Sequence, residues 1–390
     1  MRGGLDITVL GGGIGGLATA TALARGGASV TVLERAERMT DIGAGVQISP
    51  NGGRVLAALG VDQRAGIRSQ AVQMRDGQAR DGRPVLRLDL AHQVHRMWHR
   101  ADLIAALGDA ALAAGVRVQT GAQVAQILPG GAGMDLRMAD SSSRQAGIVI
   151  GADGLHSRLR PVLNAQAAPF FTGHVAWRAL VPGDGAHPPE ARIWMGAGRH
   201  LVSYPLRGGD LINIVAVEER GDWVAEGWSH PGDPGDLRAA FADFAPPVQA
   251  LLDRVSAAHI WGLFRHDVAA KWHDGQGHAV LVGDAAHPTL PFMAQGANMA
   301  LEDAMVLANC MAHHPPAAAF ARYQALRHAR VARIVATANA NAGTYHVRGR
   351  LRPALLAGMR MAGRIAPRLP LKRFDWIYGY DATSWPLTPR

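Results

Sequence analysis

The sequence predicts an α/β chain in three parts: a doubly wound βαβ domain at the start, a mixed sheet interwoven with it, and helices toward the C-terminal end. Three observations predict this. First, an apolar, β-branched run, Ile7-Thr8-Val9-Leu10, enters the glycine-rich stretch 11–16. An Ala/Leu-rich segment, 17–25, follows and closes at Gly26-Gly27 before a second such run, Val30-Thr31-Val32-Leu33. Second, two later apolar runs, 147–150 and 279–282, each stop at a turn containing Gly and Asp. Third, residues 170–272 have a different texture, with most of the tryptophans and strand-like runs such as 211–217 set between Gly, Pro and Asp turns.

The elements follow in order. Buried parallel strands are short, continuous and β-branched, and the runs at 7–10, 30–33, 147–150 and 279–282 have that form. Segment 17–25 reads as a helix ended by its glycine pair. Residues 101–114 read as a helix and 116–118 as a strand. From 301 to about 346 the pattern is helical, broken at Pro315-Pro316; from 351 onward prolines recur and periodicity is weak. The parts are expected to be discontinuous: 1–70, 96–169 and 275–345 for the nucleotide-type domain, 71–95 and 170–274 for the sheet domain, and 346–390 for a C-terminal helical segment.

Composition narrows the class. The chain has 390 residues, 48% hydrophobic and 18% charged, long enough for two cores. Its single cysteine, Cys310, excludes an intrachain disulfide and a multi-cysteine zinc site, and fits a reducing cytoplasm. No metal site is expected. The net charge of +9 is carried by scattered arginines without a basic tract or aromatic platform, so it speaks for solubility and anionic ligands rather than nucleic acid. No secretory signal and no apolar run of membrane-spanning length is visible. The stretch 351–365 is basic and partly apolar; an interfacial helix has this form, but it is read rather as a helix docked on its own core or on a second copy, which leaves a homodimer open.

Gly11, Gly13 and Gly16 fill a G-x-G-x-x-G pattern between a strand and a helix, and Gly15 lies inside it. This is the Rossmann-type dinucleotide cradle: a tight turn, close backbone approach to a pyrophosphate, and close helix–strand packing. The helix N-terminus then offers free N–H groups to phosphates. Glu34, at the end of the second strand and followed by Arg35, stands where an acid binds ribose hydroxyls. The cradle alone does not separate NAD from FAD.

Three further motifs do. Gly151-Ala152-Asp153-Gly154-Leu155-His156-Ser157-Arg158 resembles the DG motif of the group A FAD-dependent aromatic hydroxylases. Gly283-Asp284-Ala285-Ala286-His287-Pro288 resembles their GD motif. The segment from Gly43 through Val46 and Gln47 to Asn51 resembles the stretch beside the flavin in the salicylate, 3-hydroxybenzoate and 6-hydroxynicotinate hydroxylase branch. The resemblance runs from Gly11 to about Trp376 and implies a GR2-like, p-hydroxybenzoate hydroxylase-like fold. It further implies a single-component monooxygenase with bound FAD. NADH or NADPH, visiting without a domain of its own, reduces the flavin; O₂ forms a C4a-hydroperoxide; a small phenolic or hydroxypyridine carboxylate is hydroxylated. The other activity carried by this resemblance is a same-fold FAD enzyme acting on a polyprenyl, quinone-precursor or antibiotic-like polycycle.

By the same resemblance Asp284 binds ribityl or ribose hydroxyls, Arg100 reaches the FAD phosphate or ribityl region, and Asp153 and Arg158 tie the DG loop to the cofactor. The loop through Pro291, Phe292 and Met293 leads to a helix starting near Gly296, Ala297 and Asn298, with acids in its first turns. The family sets this helix start against the flavin N1–C2=O edge, where reduced flavin carries negative charge. Candidates for contact with the substrate oxygen are Tyr204 and His200 on one strand-like run, His287 beside the proline loop, and Gln47. Some hydroxynicotinate-hydroxylating relatives carry His where Gln47 stands; Gln is no base, and here it would bond the flavin or the substrate instead. His287 is alternatively a brace for the pyrophosphate, and Arg178 meets either a carboxylate or an interdomain partner.

Overall fold

The computed structural model of the chain describes residues 4–38, 44–165, 169–222, 230–367 and 369–387. Gly43, quoted above, lies outside the described residues. A five-stranded sheet runs in the order Ala279–Leu281, Ile148–Gly151, Asp6–Leu10, Ser29–Leu33, Arg117–Gln119, with every pairing parallel. The chain's first strand is therefore central. Its C-terminal end, where the glycine loop starts, lies at the switch in strand order that positions ligands in open α/β sheets. Ile7, Val9, Val32, Val149, Ile150, Val280 and Leu281 are fully buried, as the continuous apolar runs require. Helix Ile14–Arg25 covers one face and packs against helix Gly296–His313.

An eight-stranded mixed sheet forms the second layer. Its strands come from Ala71–Asp76 and Pro84–Asp89, then from Phe170–Pro182, Glu190–Gly196, Arg199–Leu206, Leu211–Glu219, Pro231–Gly232 and Ala258–Arg265. Only the pairing of Glu190–Gly196 with Ala71–Asp76 is parallel. Strand Arg199–Leu206 alternates its side chains across the sheet. Leu201 packs with Leu237, Phe241 and Leu252 beneath, while His200, Val202 and Tyr204 face the cavity above. Sequence reasoning missed the antiparallel sheet of Val124–Gly130, Gly133–Met138 and Ser143–Ala146, whose mixed polarity masks its period. The helical C-terminal pattern resolves into Gly296–His313, the 30-residue Pro316–Tyr345 and Leu351–Ile365. The last is regular, with Pro353 in its first turn, and buries Leu356 beside Val85, Ile193 and Met195. Among the described residues no helix is long and apolar enough to cross a membrane.

A buried ionic cluster joins these layers. Arg327, on the 30-residue helix, is completely buried. It donates to Glu302 Oε2 at 2.5 Å and to Asp303 Oδ1 at 2.7 Å. Asp303 Oδ2 accepts from Gly283 N at 3.0 Å and pairs with His287 Nε2 at 2.5 Å. Arg330 and Asn51 complete the shell of Glu302, at 2.8 and 2.7 Å from its Oε1. Burial works against ionising Glu302 and Asp303, but Arg327, helped by Arg330 at Glu302 and His287 at Asp303, outweighs it, so both carboxyls lie below the usual range.

Arg327→Leu leaves two buried carboxylates with only Arg330 and His287 to meet their charge, and we expect it to cost about 3–5 kcal/mol of stability by urea denaturation. The pH dependence has a fixed sign. Carboxyls with lowered native pKa values contribute fully above the unfolded value of about 4, and that contribution is lost as pH falls. The urea midpoint of the wild type should therefore drop below about pH 4, more steeply than that of Arg327→Leu.

Candidate active site

The glycine loop has three distinct jobs. Gly11 holds a φ of +101°, and a Cβ there would stand 2.5 Å from the carbonyl oxygen of Ala152. A Cβ on Gly16 would stand 1.9 Å from the carbonyl oxygen of Gly11, so the turn itself requires that glycine. Gly13 differs: no protein atom lies within 4 Å of its Cβ position, because it faces an open cavity. A Cβ on Gly15 would stand 3.2 Å from the Cβ of Ala300 on the neighbouring helix. Helix Ile14–Arg25 begins here without a side-chain cap, leaving first-turn N–H groups for an anion. Glu34 fastens the second strand to the loop, accepting from Gly12 N at 2.6 Å and Ala36 N at 2.8 Å. Its carboxylate and the exposed Arg35 border the cavity.

That cavity, about 950 Å³, runs without interruption from the loop to the mixed sheet. Such a volume is at the top of the range for small-molecule sites. Arg100, first residue of helix Arg100–Ala113, lines it and acts electrostatically on Asp284. Asp284 is open to the lumen yet enclosed by protein; burial raises its pKa, against the pull of His287 and Arg100. Burial likewise raises Asp153, whose Oδ2 accepts from Arg158 N at 2.6 Å while Oδ1 is buried without a protein partner. An orphaned buried oxygen beside the cradle is what a ligand hydroxyl would satisfy.

Farther along lie Pro291, opening a 3₁₀ turn, and Gly296 and Ala297, opening helix Gly296–His313. Between them Ala294 sits at φ +52°, a left-handed conformation that is costly for a residue with a Cβ. Val46 and Gln47 form the opposite wall. Asn298 does not face the cavity. It is fully buried, accepting from Ser49 N at 2.9 Å and donating to Gln47 O at 3.0 Å and Ala294 O at 2.8 Å. The expected cofactor contact is thus corrected to a brace: an Asn amide pairs with backbone and joins strand Gly45–Ile48 to the helix start.

The far end is ring-sized and apolar, walled by Val215, Val217, Trp261, Leu263, Leu290 and Phe292. Three polar side chains enter it: His200, Tyr204 and the buried Arg178. The Tyr204 hydroxyl pairs with Gln47, and burial pushes its pKa up, so it stays protonated and donates. Burial, with His346 and His174 adding to it, pushes His200 well below its usual value; a neutral imidazole accepts a proton. His287 is not brought here. It is wholly buried against Asp303 and absent from the cavity wall, so the expected substrate contact is corrected to a structural role.

Side-chain-free Gly13, the orphaned Asp153 Oδ1, and the facing Arg100 and Asp284 fit the phosphates and hydroxyls of a flavin dinucleotide. A family described as FAD binding domain matches residues 4–338. Along 96% of both chains the protein is 36% identical to 3-amino-4-hydroxybenzoate 2-monooxygenase PtmB3 of Streptomyces platensis. It is 34% identical to 3-hydroxybenzoate 6-hydroxylase of Klebsiella oxytoca, over 95% of this chain and 96% of the relative. The chain belongs to the FAD-dependent aromatic hydroxylases. The structure of Klebsiella pneumoniae HpxO with FAD and uric acid superposes with a TM-score of 0.81 at 27% identity, covering 94% of this chain and 95% of that one. The enzyme is a flavoprotein monooxygenase with FAD as its cofactor.

Several site residues escaped sequence reasoning. Asn213 Oδ1 accepts from Gly45 N at 2.7 Å, and a Cβ on Gly45 would stand 2.4 Å from the Tyr204 hydroxyl. Tyr345, Phe374 and Tyr378 reach the cavity from the C-terminal segments. Nothing local to these residues distinguishes them; only the tertiary fold does.

Two alanine substitutions separate binding from folding. Gly13→Ala should leave apoprotein melting unchanged and weaken FAD retention at least about tenfold, since its methyl enters only the cradle. Gly16→Ala should lower apoprotein melting itself. Flavin absorbance after gel filtration and thermal melting monitored by circular dichroism read the two effects.

Proposed function

We propose that this enzyme uses NAD(P)H and O₂ to hydroxylate a small aromatic acid bearing a ring hydroxyl. The observation that carries the reading is the continuity of the cavity, from the glycine cradle to an apolar chamber with a neutral histidine, a tyrosine hydroxyl and a guanidinium on its walls. The hydroxybenzoates named for two relatives have the matching chemistry. Bound FAD supplies reduction by NAD(P)H and, with O₂, the electrophilic oxygen.

The chain's own residues do the rest. Val217, Leu263, Leu290 and Phe292 keep water from the reacting end, which limits wasteful loss of oxygen as H₂O₂. The ring is a stronger nucleophile as phenolate, so the substrate hydroxyl must lose its proton. His200 accepts it and the Tyr204 hydroxyl hydrogen-bonds the resulting oxygen. The helix start at Gly296 and Ala297 would offer backbone N–H groups and a positive dipole end to a bound flavin, stabilising negative charge on it. Arg178 meets the substrate carboxylate; a guanidinium binds it by paired charge-assisted hydrogen bonds. The lone, buried Cys310 suits a reducing cytoplasm.

A panel of hydroxybenzoates and hydroxypyridine carboxylates tests this. One or a few acids should stimulate NADH or NADPH oxidation sharply and yield a hydroxylated product by chromatography. No stimulation across the panel overturns the substrate class. Arg178→Met should raise KM for the active acid about tenfold or more, matching a lost charge-assisted bond of about 1.5–3 kcal/mol.

A further inference from the structure

The ring chamber is linked to the protein surface by a line of titratable side chains that begins at His200. His200, on the chamber wall, shares a 2.7 Å hydrogen bond between its Nδ1 and His346 Nε2. His346 stands at the C-terminal end of the 30-residue helix and is buried. Its Nδ1 is 3.1 Å from Glu219 Oε1, and the Glu219 side chain is 36% exposed, enough to exchange protons with water. The three residues come from strand Arg199–Leu206, the segment after the long helix, and strand Leu211–Glu219.

We propose that His200, His346 and Glu219 form a proton relay carrying the substrate hydroxyl proton from the chamber to solvent. The proposal rests on the phenolic substrate class argued above. The hydroxyl proton passes to His200 Nε2 while the Nδ1 proton of His200 passes to His346 Nε2. The Nδ1 proton of His346 then passes to Glu219, which releases it to water. One proton leaves the substrate, one reaches solvent, and both rings end in the opposite tautomer. After oxygen transfer the ring oxygen is a ketone; restoring the aromatic ring releases the proton of the hydroxylated carbon to water and returns a proton to that oxygen. That proton travels inward along the same line and resets both tautomers.

The surroundings suit such a path. Shuttling through neutral imidazoles requires that neither histidine hold a permanent charge. Burial pushes His200 well below its usual value, with His346 and His174 adding to the effect. Burial and His174 bring His346 down to about 4, against the opposite pull of Glu219. Arg348 pairs with Glu219 Oε2 at 2.5 Å and holds the outlet side chain in place, leaving Oε1 to His346. His174, from strand Phe170–Pro182, has its ring 5.4 Å from that of His346, but its Nδ1 is engaged at 2.9 Å by Thr172 O. Tyr345 and Phe292 pack on His200 at ring distances of 5.1 and 5.7 Å and fix its ring. Ligand atoms of His174, Glu219 and His346 lie within 4.8 Å of one another, a spacing open to a cation. The Arg348 guanidinium on Glu219 and the bond of His346 Nε2 to His200 weigh against that use.

The test uses the oxidised, FAD-loaded enzyme and a nitro-substituted hydroxybenzoate, whose phenolate is coloured. After a pH jump in a stopped-flow instrument, the bound probe ionises at a rate that needs no turnover. His346→Gln keeps a hydrogen-bonding side chain but cannot shuttle, and should slow this ionisation about tenfold or more. Glu219→Gln, at the half-exposed outlet, should slow it as well and is the second variant should His346→Gln fold poorly. In turnover, both variants should lose kcat at neutral pH with KM unchanged, and recover as pH ionises the substrate in solution. Ionisation rates and pH profiles identical to wild type would overturn the relay and leave the histidine pair a structural tie. So would a loss of kcat equal at every pH. A wild-type enzyme that binds no probe while still reducing its flavin would overturn the phenolic reading and the relay together.

Discussion

Arg327 carries a full charge into a part of the protein that water does not reach, and the active-site architecture depends on how that charge is met. A buried ion pair gains little net stability over apolar packing, but losing one partner is expensive. Here the partners are Glu302 and Asp303, adjacent on one helix, and their further bonds fan out to Gly283, His287, Arg330 and Asn51. The cluster thereby fixes the helix that starts at Gly296, the turn that carries Asp284, and the helix that follows strand Gly45–Ile48. Three cavity walls are held from behind by one guanidinium. This is also why His287 cannot serve the substrate: its Nε2 is committed to Asp303 and its Nδ1 is buried too.

The front of the site is set by close contacts instead. Asn298 ties strand Gly45–Ile48 to the helix start through backbone-like hydrogen bonds, and Asn213 holds the Gly45 amide from the mixed sheet. With no side chain at Gly45, the Tyr204 ring can lie against the strand. The ring chamber and the flavin-facing wall are thus joined at a contact that admits no further atom. Ala294 pays for the tight turn between them with a left-handed backbone, a strain concentrated at the reactive end. Rigid placement of this kind is what oxygen transfer to one ring position requires.

Much of this was legible in the sequence, unevenly. The cradle was, because its glycines act through backbone geometry that repeats wherever a strand turns into a helix around a pyrophosphate. The central strands were, because burial on both faces leaves only short β-branched runs. Strand Arg199–Leu206 and its pocket-facing His200 and Tyr204 were reached through resemblance. The brace of Asn298, the cluster around Arg327 and the contact of His200 with His346 were not. Each depends on pairs 100 or more positions apart, or on a helix face whose partner no local pattern reveals, as with His346, 146 residues from His200. Glu302 and Asp303 drew notice as acids near a helix start, whereas their structural role is the charge of Arg327. The hairpins at 124–146 were missed because their exposed faces blur the alternation that marks a strand.

On the proposed reading, one cavity brings FAD, O₂ and an aromatic acid together so that oxygen enters the ring. Turnover under ¹⁸O₂ with the acid that best stimulates nicotinamide oxidation distinguishes this from simple oxidase chemistry. Each hydroxylated product molecule should carry one ¹⁸O atom, by mass spectrometry, with little labelled H₂O₂. Unlabelled product, or label found only in H₂O₂, would rule out oxygen transfer to the ring.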